Sequence, residues 1–161
     1  MAGPLLKMEL VGYRHKGRFA AMTPELHQAR RDEMREQGRS MVSTLRHYAP
    51  EDTGKFKQGI AYRTDDRGDR TTITVYVKGE HAFLLPILTG GSEPHTITPK
   101  GEGYPLRFFW ERGPEGPGVY YYYSVQHPGT LPNPFVSLAI DAHSPQMAVG
   151  LSRMAQRLRW M

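Results

Sequence analysis

Cysteine is absent from the 161 residues, so neither a disulfide nor a thiolate metal site can be built. That absence suits a protein assembled in a reducing cytoplasm. No apolar run approaches the ~20 residues needed to cross a bilayer, so no membrane partner is expected. Met1–Lys7 lacks the apolar core of a signal peptide. There is no internal repeat. Charge is only mildly one-sided: 21 Lys and Arg against 16 Asp and Glu leave a net +5. These charges are scattered, which admits an acidic partner such as nucleic acid but is a weak pointer to one.

What remains is a globular composition, 39% hydrophobic and 23% charged, of a length that fits a single domain over residues 1–161. Its 13 prolines and 17 glycines exceed the usual proportions of about 5% and 7%. They crowd between Lys78 and Pro134. Long ordered loops of that kind usually touch something.

Residues 5–13 read as a strand with Leu6, Met8 and Leu10 on one face, and a basic turn follows to about residue 20. Thr23-Pro24-Glu25 is a helix start: an N-cap hydroxyl, a proline at the first helical position and an acid in the first turn. The spacing predicts a helix over 24–48, ended because Ala49 precedes Pro50. Its buried face would hold Leu26, Ala29, Met34, Met41, Val42, Leu45 and Tyr48. Arg30, Arg31, Asp32, Glu33, Arg35, Glu36 and Arg39 would form an ion-paired, solvated face. Gly38 implies a neighbouring backbone close by or a bend.

A β-rich part is expected over about 55–131. It includes a strand at Ile60 and Tyr62, a hairpin loop at Asp65–Asp69 and an alternating strand over Thr71–Val77. Ala82–Leu88 reads as a short helix or an edge segment, and Thr89–Ser92 as a flexible turn. Helical periodicity returns over about 134–161, with a stripe of Phe135, Leu138, Ala139 and Ala142 and a second helix start at Ser144-Pro145. Arg153, Arg157 and Arg159 complement that helix's dipole. The order gives an α+β fold, a mostly antiparallel sheet packed by a long N-terminal helix and a C-terminal helix.

Chemistry is hard to find. His81, His95 and His127 have no metal-site spacing, and each is expected to bond a loop backbone instead; no metal and no cofactor is expected. Asp65–Asp69 lacks the alternating ligands and distal Glu of a calcium loop, and its Arg-Gly-Asp reads as a polar hairpin tip. Thr89–Ser92 lacks the Lys-Ser/Thr of a phosphate loop. Ser92, His95 and Asp141 could be assembled on paper into a catalytic set, but no serine sits on a nucleophile elbow. No catalytic residue is expected, and the chain does not read as an enzyme. The aromatics Phe108–Trp110 and Tyr120–Tyr123 would alternate, half inward to the core and half outward to an oligomer interface. Base stacking is the other reading of the same rings.

The most distinctive stretch is His95–Phe135: strand-like runs at Thr96–Thr98, Leu106–Trp110 and Val119–Val125, then a turn at His127–Thr130 and a helix start at Asn133-Pro134-Phe135. With Ala49-Pro50-Glu51-Asp52-Thr53-Gly54-Lys55-Phe56 and Ile60 before it, this resembles a tail-completion family. These are the head–tail connector (neck) proteins of long-tailed double-stranded DNA bacteriophages and related prophages. The family carries an "APvDTGxL…SI" element, then a "GT" turn, a His-x-Ile-x-Pro strand, an "LRF" strand and a "V.HPGT…PF…A" close. Here the counterparts are Pro50, Asp52, Thr53 and Gly54; Gly90; His95, Ile97 and Pro99; Leu106, Arg107 and Phe108; and His127, Pro128, Gly129, Thr130, Pro134, Phe135 and Ala139. The ordered match spans roughly 24–142. It departs at Gln58-Gly59, where Ser is usual, at His81-Ala82, where Tyr is common, and at Leu88, where an acid is usual. Gly113–Gly118 and the segment beyond Ser144 are additions.

The resemblance implies a structural virion protein assembled in the host cytoplasm, a homo-oligomeric ring at the neck, hexameric in one reading. It would sit between a head-closure protein and the tail tube or tail terminator, with double-stranded DNA passing through its lumen. The alternatives are a tail-terminator protein and a nucleic-acid-binding module. Glu51–Gly59 and Thr89–Tyr104 are the expected contact loops. The helix over 24–48 and the strands Thr71–Val77 and Val119–Val125 are the expected scaffold.

Overall fold

The structure is a computed structural model describing residues 6–11, 24–67, 70–101 and 103–159. It is α+β, with antiparallel strands in three small sheets and a long helix near each end. The chain runs β1 (Leu6–Val11), α1 (Pro24–Tyr48), α2 (Lys55–Gly59), β2 (Ile60–Asp66) and β3 (Arg70–Val77). A 3-10 turn (Glu80–Phe83), α3 (Leu84–Gly90), β4 (His95–Ile97), β5 (Leu106–Trp110), β6 (Gly118–Tyr122), β7 (Val125–His127) and α4 (Phe135–Arg159) follow. The basic turn expected near residue 20, the Thr23 cap and the side chains of β1 lie outside the described residues.

The body is built on β3, the middle strand of the order β1-β3-β2. Its register runs Leu6↔Val75 to Val11↔Arg70 on one side and Ile60↔Val77 to Asp66↔Thr71 on the other. Having a neighbour on both sides, β3 is buried along most of its length, with Ile73, Val75 and Val77 in the core. Against the sheet lies α1, contributing Met34, Met41, Val42 and Leu45. Fully burying one such side chain contributes about 1.5–3 kcal/mol. Along α1 also packs α4, whose Phe135 and Ala139 join the same core.

Tyr48, expected in the core, is exposed; the helix ends there and Ala49 takes the buried place, its N–H bonding Leu45 O at 2.8 Å. Gly38 answers to a side chain rather than to a neighbouring backbone or a bend. A Cβ on it would stand 2.4 Å from the Tyr62 ring.

Arg30 does not belong to the solvated face. It is 3% exposed and donates to Asp66 at 2.8 Å, joining α1 to the end of β2. Asp66 also accepts from Thr71 Oγ1, and Arg67 pairs with Asp65 at 2.9 Å. Two of the three carboxylates expected in the hairpin loop, Asp65 and Asp66, are therefore strand residues with cationic partners. The loop residues 68 and 69 lie outside the described set.

Glu51–Gly59 is only half a loop. Gly54, at φ 75°, starts the short helix α2, whose Phe56 is buried. Gly59 lies against Lys78 O, 2.7 Å from where its Cβ would be. That contact leaves no room for a side chain at position 59. Arg46 donates to Lys57 O, Gln58 O and Ile60 O, satisfying carbonyls that the end of α2 leaves open.

The C-terminal part is one helix, not two. Asn133 caps it, Oδ1 accepting from Phe135 N at 3.0 Å, as the Asn133-Pro134-Phe135 signal predicts. Ser144-Pro145 falls inside it instead of starting a second helix. An interior proline costs about 3 kcal/mol. Packing of α4 along α1, with His143 buried before the proline and Gly150 after it, holds the helix together across that point. The buried stripe follows i, i+4 spacing through Phe135, Ala139 and His143, while Leu138 and Ala142 face solvent.

Candidate interaction surface: a glycine-hinged aromatic arm

Residues 91–133 form an arm. Pairing is nested: β4 pairs with β7 and β5 with β6, both antiparallel, so the segment is one long ribbon interrupted by residues 98–105 on its outgoing side. The run Val119–Val125, expected as a single scaffold strand, splits at Tyr123-Ser124 between the two halves and is not scaffold. No described residue from Pro86 to Pro134 is buried.

The arm leaves the body at a crossing that only glycine permits. Gly91 and Gly129 have φ of 74° and 86°, a region closed to most side-chain-bearing residues. A Cβ on Gly91 would lie 2.6 Å from Thr130 O, and one on Gly129 2.3 Å from Ser92 O. Freed of those atoms, Ser92 and Thr130 exchange both backbone hydrogen bonds, at 2.9 and 3.0 Å. Gly91 N–H bonds Ile87 O, and Asn133 N–H bonds Leu88 O, fixing both ends to α3. A groove of about 490 Å³ runs along this crossing, lined by Ser92, Pro94, Pro128 and Leu131 among others.

Above the crossing, His95 and His127 stand opposite each other with rings stacked 5.0 Å apart. His95 Nδ1 lies 2.9 Å from Glu93 O, and His127 Nδ1 accepts from Gly129 N–H at 3.1 Å. These two bond loop backbone as expected. His81 instead faces Glu80, at 3.3 Å. The motif residues Gly90, His95, His127, Pro128, Gly129 and Thr130 thus meet at the arm's base. Ile97 pairs with Val125 just above it, and Pro99 lies in the interruption. Pro134 and Phe135 carry the chain back into α4, where buried Phe135 meets Phe56 edge-on at 6.0 Å. Pro50, Asp52, Thr53 and Gly54 lie in the turn before α2, on the body side of that ring pair. Arg107 stands apart, on the distal ribbon.

The distal ribbon has two aromatic faces. On one, Phe108, Trp110, Tyr120 and Tyr122 form a chain of ring contacts at 5.6–6.4 Å. On the other lie Phe109, Val119 and Tyr121, with Arg107 Nε donating to Tyr121 OH at 3.2 Å. Alternation was expected to send half the rings into a core. Instead they pack chiefly on one another, because β5 and β6 pack on each other and make no substantial packing with a described element of the body. Tyr120 OH fixes the tip, donating to Gly116 O at 2.7 Å and accepting from Glu115 N–H. Gly113 lies against that ring, leaving no room for a Cβ.

Ser92, His95 and Asp141 do not come together: Ser92 belongs to the crossing, His95 to the histidine stack, and Asp141 is exposed on α4. Among the described residues no group of three or more His, Asp or Glu could hold a metal ion, and no helix is long and apolar enough to cross a membrane.

Sequence reasoning missed a second polar site, between α1 and α4. Ser40 Oγ donates to Gln146 Oε1 at 2.9 Å. Its one proton is then committed, so it accepts from His143 Nδ1–H at 3.3 Å. His143 Nε2 is buried without a hydrogen-bond partner. Desolvation therefore holds the ring neutral and its pKa below the ordinary 6.5. The only sequence signal was a histidine at the i+4 position of the Phe135–Ala139 stripe.

The chain matches no protein-family model, no curated protein and no solved structure.

Proposed function

We propose that this chain is a structural ring subunit of a tailed bacteriophage, a tail-completion protein that joins head to tail at the neck. The observation that carries the reading is the ordered set of motif residues at the arm's base. Gly90, His95, His127, Pro128, Gly129 and Thr130 lie far apart in sequence and adjoin in space, and Gly129 has a backbone reason to be glycine. The DTG turn and Phe135, which closes the last motif, are linked through the Phe56–Phe135 ring pair. A compact body with a protruding, apolar, nearly charge-balanced arm suits a subunit that assembles by surface contact. Between residues 91 and 133 stand four Glu and three Lys or Arg, which gives the arm no field to attract a polyanion.

In this reading the ring contacts a head-closure protein on one side and the tail tube or terminator on the other, and duplex DNA passes through without sequence recognition. Electron microscopy of the full chain, alone and mixed with the neighbouring neck proteins, tests it. Rings with an open lumen are expected, placed at the head–tail junction when the subunit is labelled in virions. Label found only inside the head or along the tail tube contradicts the reading. A tail-terminator role would put it at the tail's upper end before heads are joined. A steep fall of duplex affinity with salt, the signature of phosphate contacts, would favour a DNA-binding module instead.

A further inference from the structure

We infer that the arm is the contact by which one copy of the chain grips the next, its distal ribbon seating on the body of a neighbouring copy; this rests on the oligomeric part of the proposed function. An isolated two-stranded ribbon is marginal in water, and β5 and β6 pack substantially on each other alone among the described elements. Among the described residues, nine of the thirteen exposed large hydrophobics lie between Ile97 and Leu131. Six are aromatics exposed by 37–76%. At 150–250 Å² for a buried ring, they offer on the order of 700 Å², close to the ~800 Å² per partner of a standard interface.

The occupant follows from stoichiometry and shape. A segment with no fully buried residue among those described needs its partner whenever the chain folds, and a second copy is the one surface always present at equal concentration. Both faces of the ribbon expose rings, Phe109 and Tyr121 on one and Trp110 and Tyr122 on the other. Arm-to-arm pairing about a twofold axis would cover one face and leave the other wet. Seating between surfaces of a neighbour covers both, and the body exposes its own apolar residues for this: Tyr48, Phe83, Leu138 and Val149. Such a contact is head-to-tail, and head-to-tail contacts that close give rings.

The test is sedimentation velocity of the full chain across concentration, with and without Phe109→Asp and Tyr121→Asp together. Both positions are exposed, so the body's thermal transition should stay put and report that the variant folds. The conservative pair Phe109→Tyr and Tyr121→Phe should assemble as wild type does. With Trp160→Phe as background, Trp110 emission should shift to the blue as wild type assembles and should not in the Asp variant. Wild-type self-association is expected, weakened about 10–100-fold or more in the double Asp variant, the range of interface hot spots. A wild-type chain that stays monomeric with no Trp110 shift overturns the inference, as does an Asp variant that assembles equally well. Rings that persist in the Asp variant would sink the arm contact and spare the neck assignment. Assembly that depends on the arm, in a protein absent from virion necks, would do the reverse.

Discussion

Body and arm are made from the same chain by opposite means. Among the described residues, all thirteen buried hydrophobics lie in two stretches, Met34–Leu85 and Phe135–Ala139, and none lies in between. The body gains its order from burial, with a doubly flanked central strand under a long helix. The arm gains its order from backbone pairing, glycine geometry and stacked rings, all of them local and half in water. Apolar residues are plentiful in both, so composition does not separate the two. The difference lies in whether a second layer covers them. That teaches where to look for function: the part of the molecule that its own fold leaves uncovered.

Mutations should separate the regions, and the largest effect belongs to the body. Phe135→Ala removes a fully buried ring and its edge-on contact with Phe56. A loss of about 3–5 kcal/mol is expected, read as a large drop in the denaturant midpoint. Gly129→Ala should be smaller and confined to the arm. A side chain at positive φ costs about 1–2 kcal/mol, and here it also meets Ser92 O. Hydrogen exchange should then speed up at Ser92 and Thr130 while the amides of β3 keep their protection. Equal loss in both regions would mean that the arm and body are one cooperative unit.

The smallest effect is a pH dependence, and it belongs to the body. His143 is kept neutral by burial, so its folded pKa lies below 6.5. Above about pH 6.5 both folded and unfolded chains carry a neutral ring, and stability is at its full value. As pH falls from there toward the lowered value, the unfolded chain takes up a proton that the folded chain refuses, and stability declines. In His143→Gln that part of the decline should vanish. An unchanged slope between wild type and variant would show that the ring is hydrated after all.

Much of the body was legible in the sequence. Pro24-Glu25 and Ala49-Pro50 bracket α1 with local stereochemistry, and the alternation of Thr71–Val77 gave β3 because both its faces are fixed by the sheet. The failures share one cause, which is partners remote in sequence. Arg30 looked solvated because Asp66 lies 36 residues away. Val119–Val125 looked like one strand because all its residues but Ser124 favour extended backbone; the split is imposed by two different partners, β5 and β4. Ser144-Pro145 carries a sound helix-start signal, overridden by α1 alongside. The motif residues at the arm's base were legible as a set, but not why they belong together, since the Gly91–Gly129 crossing exists only in three dimensions.

The central claim is that the body folds on its own surface while the arm is completed by another copy. Hydrogen exchange on the full chain, measured residue by residue below and above its assembly concentration, tests this most directly. The account predicts that backbone amides of β5 and β6 exchange rapidly in the dilute chain and gain protection of about tenfold or more on assembly, with β3 unchanged. A ribbon equally protected at both concentrations would contradict it.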